Sequence, residues 1–296
     1  MDYKSKINKI ASEISKDIID LERERRRGNP PTQAFSDFLT HNEQGNWAEE
    51  LMFSSLNNLS LPIYPVMYGK ADKIMAGDLG FKEFYNSYQK ELSTIGKRPD
   101  ILLFDKNAKD IIEKSDISGL SLEELSKIVP KAKAGLEVRS SAYLTSKFNP
   151  KEKMPSLSFT PKVEDLIVIL KWINNYGVPH YYVQVFFDAI YAISFQTILT
   201  LIRDARLEIK GIKNKRIFGY LGEQLKFVIE KNPKNQYKET IHVFLNSGIR
   251  IDEKLNMPKL RALRKELASG RLLHYVAFES SVARLDKKSL INLMQS

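Results

Sequence analysis

Residues 98–104 of the chain read Arg98-Pro99-Asp100-Ile101-Leu102-Leu103-Phe104. This stretch is an apolar run that is entered through a proline and followed by polar residues, which predicts a short buried strand. A second strand is predicted over Ala134-Gly135-Leu136-Glu137-Val138-Arg139-Ser140-Ser141, and a third over residues 181–187, where aromatic and β-branched residues dominate. Short apolar strands of this kind indicate a sheet in the interior of the protein.

Helical patterns alternate with these strands. Capping-box patterns predict one helix over residues 40–56 and another from residue 121 to about residue 129. Apolar residues at helical spacing predict a helix over 164–175, while 190–202 fits either a strand or a helix. The alternation of strands and helices predicts an α/β or α+β fold.

The composition excludes several classes of protein. The chain has 296 residues, of which 43% are hydrophobic, so it can bury one large core or two smaller ones. It contains no cysteine, which excludes disulfides, a thiol nucleophile and thiolate-bound zinc, and its four histidines are scattered. No apolar run approaches the length of a membrane span, and residues 1–10 have no signal-peptide character. We therefore expect a cytoplasmic protein without a membrane partner.

The positive charge is confined to one part of the chain. Residues 1–200 contain 26 Lys or Arg and 26 Asp or Glu, whereas residues 201–296 contain 20 Lys or Arg and only 10 Asp or Glu. A one-sided basic excess is typical of a protein that binds a polyanion, nucleic acid above all. On charge alone, a basic surface kept for solubility is an equal alternative.

Basic residues with interleaved amides in this last third are the candidate DNA contacts, because Arg, Asn and Gln can read base edges. The candidates are Lys213, Asn214, Lys215, Arg216, Lys234, Asn235 and Gln236. Helices are predicted over 221–231 and 258–268, and the second would carry Lys259, Arg261, Arg264 and Lys265 on one face. For any single cluster, an exposed surface without a DNA contact is the alternative.

The candidate chemistry lies in the first two strands. Asp100 begins one strand, and Glu137 and Arg139 project from the same face of the other, because side chains alternate along a strand. If the two strands are neighbours, Asp100 and Glu137 converge. Two convergent carboxylates repel each other and favour a cation, and oxygen ligands with open positions suit Mg²⁺.

Pro99-Asp100 followed by Glu137-Val138-Arg139 resembles the PD-(D/E)XK nuclease motif, with arginine where lysine is usual. Arginine stays protonated and cannot serve as a general base, so Lys162 is an alternative source of the usual ammonium group. Residues 44–49 resemble the helix that supplies an acidic residue to such sites, which implies a supporting role for Glu49. Under this resemblance, Asp100 and Glu137 bind Mg²⁺, and Arg139 faces the scissile phosphate.

Longer segments are similar to the AccI type of type II restriction endonuclease. They are residues 26–34, 44–49, 137–141, 158–166 and 176–188. The resemblance implies a mixed central sheet flanked by helices, with additional helices and strands at both ends. It also implies Mg²⁺-dependent cleavage of both strands of DNA at a specific sequence, leaving 5′-phosphate ends, and a cognate methyltransferase in the same restriction-modification system.

From this we predict a catalytic core over 1–200, including an N-terminal helical part, and a basic region over 201–296 that is packed on it and contributes to DNA binding. Cutting both strands of a palindrome favours a homodimer. Two alternatives stay open. One is a non-catalytic DNA-binding protein with a decayed nuclease site, and the other is a structure-specific repair or junction nuclease.

Overall fold

The computed structural model describes residues 1–16, 19–25, 28–69, 74, 76, 78–108, 114–148, 157–210, 216–230, 239–267 and 270–295, with only the backbone at 216 and 230. The helices in this part of the chain are α1 (Tyr3–Glu13), α2 (Ser36–Asn57), α3 (Phe81–Thr94), α4 (Leu122–Ile128), α5 (Val163–Tyr176), α6 (Phe195–Arg203) and α7 (Lys287–Gln295). The strands are β1 (Ile63–Met67), β2 (Ile101–Asp105), β3 (Ala134–Ser140), β4 (Ser158–Phe159), β5 (His180–Val185), β6 (Ile190–Ser194), β7 (Arg206–Lys210), β8 (Arg216–Leu221), β9 (Leu225–Glu230), β10 (Ile241–Phe244), β11 (Ile249–Arg250), β12 (Asp252–Leu255), β13 (Lys259–Glu266), β14 (Leu272–Glu279) and β15 (Ala283–Leu285).

A six-stranded sheet forms the centre of the fold, in the order β1-β2-β3-β5-β6-β11. Its neighbouring strands are antiparallel except for β3 and β5, which are parallel. Parallel neighbours need a crossover connection, and α5 lies in the segment between them. The predicted mixed central sheet flanked by helices is therefore confirmed.

Helices cover both faces of this sheet. Trp47, Leu51 and other apolar residues of α2 pack with the residues of β2 and β3 that point to one face, such as Leu103 and Leu136. Apolar residues of α5, including Trp172, pack with the residues that point to the opposite face. β2 is consequently apolar on both faces, which explains its continuous hydrophobic run. β3 is apolar on the α2 side and carries Glu137 and Arg139 on the α5 side.

Two glycines allow close backbone approaches beside β2. A Cβ on Gly135 would lie 2.7 Å from the Pro99 ring, so only glycine lets the chain enter β2 along β3. Gly96 has a φ of +88°, and its Cβ would lie 2.3 Å from the Val168 carbonyl oxygen of α5. The turn that precedes β2 is therefore held tightly against α5.

A second sheet has the order β4-β10-β9-β8-β7. It combines β4, from the first part of the chain, with four strands that follow residue 200, while β11 joins the central sheet at its edge. Strands from both sides of residue 200 thus share both sheets. The assignment of catalysis to residues 1–200 and of DNA binding to residues 201–296 stays a prediction.

Two of the predicted helices are wrong. Residues 221–231 contain β9, in which Leu225, Phe227 and Ile229 are buried in alternation. Residues 258–268 contain β13, although its sequence is rich in helix-forming Leu, Arg, Lys and Ala. Pairing along its whole length with β14 outweighs that local preference.

Other local predictions are confirmed or refined. Ser121 caps α4 with a complete capping box, as predicted. α2 begins at Ser36, four residues before the predicted start, without a side-chain cap. The ambiguous stretch 190–202 is both a strand and a helix, because Ser194 ends β6 and caps α6.

Candidate active site

Asp100 and Glu137 face each other across β2 and β3. The antiparallel register pairs Ile101 with Leu136, and its continuation sets Asp100 opposite Glu137. The Asp100 backbone N–H donates to the Leu136 carbonyl oxygen (2.9 Å), and the Val138 N–H donates to Asp100 Oδ2 (2.7 Å). Backbone hydrogen bonds therefore fix both the position and the orientation of the Asp100 carboxylate.

The two oxygens of Glu137 have different surroundings. Oε1 is paired with the Lys97 ammonium group and with Arg139 Nη2, the latter at 2.9 Å. Oε2 has no hydrogen-bond partner among the described residues, and water cannot readily supply one because Glu137 is only 1% exposed. An unsatisfied buried carboxylate oxygen is costly unless a donor or a cation completes it.

The surroundings shift the pKa values of the two carboxyl groups in opposite directions. Burial raises the pKa of Asp100 well above its usual value, and the charges of Glu137 and Glu49 add to this effect. Burial by itself would also raise the pKa of Glu137, but Lys97 and Arg139 outweigh it and hold that pKa below its usual value. Glu137 is thus the permanent anion of the pair, and Asp100 takes up a proton readily unless another cation is present.

Lys97 is the functional candidate that the sequence patterns missed. Its backbone N–H donates to the Val168 carbonyl oxygen (3.0 Å), directly after the left-handed Gly96. Burial lowers the pKa of Lys97, but the carboxylates of Glu137, Asp165 and Asp100 together outweigh burial and raise that pKa above its usual value. The only signal in the sequence is a lysine three residues before Asp100, where Pro99 interrupts any strand periodicity.

Arg139 connects Glu137 to α5. Its Nη2 contacts Asp165 Oδ2 at 3.0 Å as well as Glu137, and the Glu137 charge is the main cause that raises its pKa. Lys162, the alternative lysine, is exposed at the position that precedes α5, and its charge helps to lower the pKa of Asp165. The lysine that contacts Glu137 is Lys97.

Glu49 reaches the site from α2. It is half-buried, and its charge contributes to the raised pKa of Asp100. Gln44 lies five residues before Glu49 in the same helix. With its amide oriented as its surroundings require, its oxygen accepts hydrogen bonds from the N–H groups of Ser141 (3.2 Å) and Ala142 (3.0 Å). α2 therefore both supports the end of β3 and brings an acidic group towards Asp100.

The candidate DNA contacts fall mainly outside the described residues. This holds for Lys213, Asn214, Lys215, Lys234, Asn235 and Gln236, while Arg216 begins β8 and its side chain is not described. Lys259, Arg261, Arg264 and Lys265 lie on β13. They do not share one helical face, because alternation along the strand sets Arg264 on the face opposite to the other three.

Comparison with known proteins identifies the family. The protein-family model described as AccI restriction endonuclease matches residues 1–155 and 151–296 of the chain. The chain belongs to the AccI restriction endonuclease family. No curated protein and no solved structure matches it.

Family membership makes the chain a nuclease that acts on DNA, since restriction endonucleases are sequence-specific hydrolases of DNA in restriction-modification systems.

Among the described residues, no cluster of three or more His, Cys, Asp or Glu is arranged to hold a metal ion. In the same part of the chain, no helix is both long enough and apolar enough to cross a membrane.

Proposed function

We propose that this chain is a type II restriction endonuclease that uses Mg²⁺ to hydrolyse both strands of a specific DNA sequence and leaves 5′-phosphate ends. The observation that carries the proposal is the buried Glu137 carboxylate, which lies opposite Asp100 and has two cations at one of its oxygens. Carboxylates, a lysine and an arginine around one point supply both the metal ligands and the charge stabilisation that phosphodiester hydrolysis needs. We accordingly assign the chain to the PD-(D/E)XK superfamily.

The donor set fits Mg²⁺. Glu137 Oε2 lacks a partner among the described residues, and the carboxylate of Asp100 lies beside it with a raised pKa. Both are hard oxygen ligands, and Mg²⁺ commonly takes only one or two protein carboxylates and completes its shell with water and substrate phosphate. Bound there, Mg²⁺ would polarise the phosphate and lower the pKa of a coordinated water.

The protein residues around this pair have distinct tasks. Lys97 and Arg139 offset the negative charge that builds up on the scissile phosphate, because both cations are held at Glu137 by the fold. Arg139 acts as a fixed cation, since a guanidinium stays protonated at any working pH. Asp165 orients Arg139 from α5, and Glu49 supports the metal ion or its water from α2.

The expected assembly follows from the reaction. Cleavage of both strands at a symmetric sequence needs two active sites, which a two-fold homodimer supplies most simply. A cytoplasmic location and a cognate methyltransferase that protects host DNA without stable binding complete the restriction-modification system.

One alternative has an observation in its favour. Arg139 stands where the motif usually has lysine, which would mark a DNA-binding protein with a decayed site. Lys97 weakens that alternative, because it returns an ammonium group to the same Glu137 carboxylate from another element.

Incubation with a plasmid of known sequence and Mg²⁺, followed by sequencing of the DNA ends, tests the proposal. Discrete fragments with 5′-phosphate ends at one short sequence, abolished by a chelator, are the expected result. Tight binding without cleavage would instead establish the decayed protein, and cleavage confined to branched DNA would establish a junction nuclease.

A further inference from the structure

The β-ribbon, which we define as the antiparallel pair β13 and β14, stands apart from the two larger sheets. Its eight residue pairs run from Lys259–Glu279 to Glu266–Leu272 without interruption. The described strands of the ribbon pair only with each other. At about 3.3 Å per residue the ribbon is roughly 26 Å long.

One face of the β-ribbon is turned inwards. Leu273 and Ala277 are buried on this face, and Leu273 packs with Leu39 of α2. At the edge of β14, the Val276 N–H donates to Thr40 Oγ1 of α2 (3.2 Å). The ribbon is therefore anchored along the first turns of the helix that, further on, carries Glu49 to the active site.

The opposite face is mostly exposed. Strand alternation places Val276 and Phe278 on it half-buried, with Phe278 against Trp47 and Phe187. Its exposed residues are Leu260, Ala262, Arg264, Glu266, Leu272 and His274. Leu260 is 62% and Leu272 47% accessible, although each is a large apolar side chain. Exposed apolar residues beside cations indicate a binding surface better than charge alone does.

Hydrogen-bond donors on the two faces differ in whether they have partners. On the inward face, Arg261 pairs with Glu279 (2.7 Å) and Lys265 with Asp78 (3.2 Å). On the exposed face, Arg264 and His274 lie directly opposite each other, and neither has a hydrogen bond or an ion pair within the described part of the chain. Two adjacent donors without acceptors favour an acceptor-rich partner.

We propose that the exposed face of the β-ribbon enters the DNA major groove and reads bases of the recognition sequence; this rests on the proposed function. The major groove is roughly 12 Å wide and accepts a two-stranded ribbon. Its guanine edge offers two acceptors to Arg264, and its thymine methyl groups suit Leu260 and Leu272. Over residues 259–279, five Lys or Arg against two Glu match the charge of the duplex. The inward-face Arg261 contributes to phosphate affinity without selecting bases.

Base analogues in the mapped recognition sequence test this assignment. 7-Deazaguanine or 7-deazaadenine removes the major-groove N7 acceptor and leaves Watson–Crick pairing intact. We expect one such position to weaken cleavage and binding by wild-type protein about 10-fold or more, the usual value of a good bidentate contact. Arg264→Ala should show a similar loss on unmodified DNA and no further loss on that analogue.

The matched control is Arg261→Ala, which removes the same charge from the same strand but from the other face. It should retain the full penalty for the base analogue. If Arg264→Ala instead lowers affinity equally for all sequences and reduces its salt dependence, the residue contacts phosphate only, and the base-reading proposal is overturned while the nuclease proposal stands. If wild-type protein neither binds nor cuts duplex DNA, both proposals fail.

A second measurement uses the absence of cysteine from the chain. A copper–phenanthroline group attached to Leu272→Cys should cut DNA inside the recognition sequence, whereas the same group on Leu122→Cys, at the start of α4, should not. Cleavage from neither position, together with a changed oligomeric state in the Leu272 variant, would assign the ribbon to a contact between two copies of the chain and overturn the proposal.

Discussion

The site at Glu137 and the β-ribbon are both rich in charge, but the fold treats that charge in opposite ways. At Glu137 the carboxylate is buried, and Lys97 and Arg139 contact the same one of its oxygens. On the exposed face of the ribbon, Arg264 and His274 have no partner in the described part of the chain. Buried charges that are held in place are suited to stabilise a transition state. Exposed hydrogen-bond donors without a partner in that part of the chain are suited to bind a partner from solution, so substitutions in the two regions should have different effects.

The largest expected effect separates cleavage from binding. Asp100→Asn and Glu137→Gln keep the shape of each side chain but remove a metal ligand. We expect each to lower the cleavage rate by about 1,000-fold or more, the scale of losing a main electrostatic group, while DNA affinity stays within a few-fold. Cleavage assays and gel-shift titrations on the same duplex check this. Glu123→Gln, on the exposed face of α4, is the control, and full activity in both site variants would refute the metal assignment.

The next effect tests which lysine serves the site. Lys97→Met removes the ammonium group at Glu137 and should slow cleavage about 100-fold, in line with the loss of one transition-state donor. Lys162→Met should stay close to wild type, because Lys162 is exposed and acts on Asp165. Single-turnover rates with saturating protein isolate the chemical step from binding. The reverse order of the two variants would return the role to Lys162.

The salt dependence of binding measures the exposed charge. If five phosphates are neutralised, affinity should fall roughly 100-fold or more between about 50 and 200 mM salt. Asp100→Asn should show the same slope, since the slope counts the phosphates that protein cations neutralise and Asp100 is not a cation. Filter binding across a salt series is sufficient, and a flat response would argue against a phosphate-binding surface.

The smallest effect concerns stability at low pH. His180 is buried among Trp172, Tyr182 and Phe195, and burial lowers its pKa to about 4. The unfolded chain binds the proton near its ordinary pKa of about 6.5. The unfolded state therefore holds more protons between these values, and the free energy of unfolding falls as pH drops, by about 2 kcal/mol from this group between pH 7 and pH 5.

His180→Phe should abolish that part of the pH dependence. Both ring nitrogens of His180 lack partners among the described residues, so phenylalanine leaves no new polar group unsatisfied. Urea unfolding at pH 7 and pH 5 measures the difference directly. Equal loss of stability in the variant and the wild type would show that other groups cause the low-pH behaviour.

The sequence predicts those parts of the molecule in which local and tertiary preferences agree. The apolar runs of β2 and β3 are buried on both faces, so their strands and the convergence of Asp100 with Glu137 could be predicted. The β-ribbon could not, because β13 has a helix-forming composition and becomes a strand only through pairing with β14. Lys97 could not be predicted for a related reason. The turn at Gly96, packed against α5, places its side chain, and a periodic sequence pattern does not indicate such a turn.

The turn at Gly96 has a consequence for how relatives of this chain are judged. The Lys97 ammonium group contacts Glu137 from outside the strand, and the arginine at position 139 is paired with Asp165 as well as with Glu137. A search that requires lysine two residues after the glutamate would discard this chain as inactive. Relatives that lack the strand lysine should first be inspected for a Gly-Lys pair ahead of the Pro-Asp dipeptide.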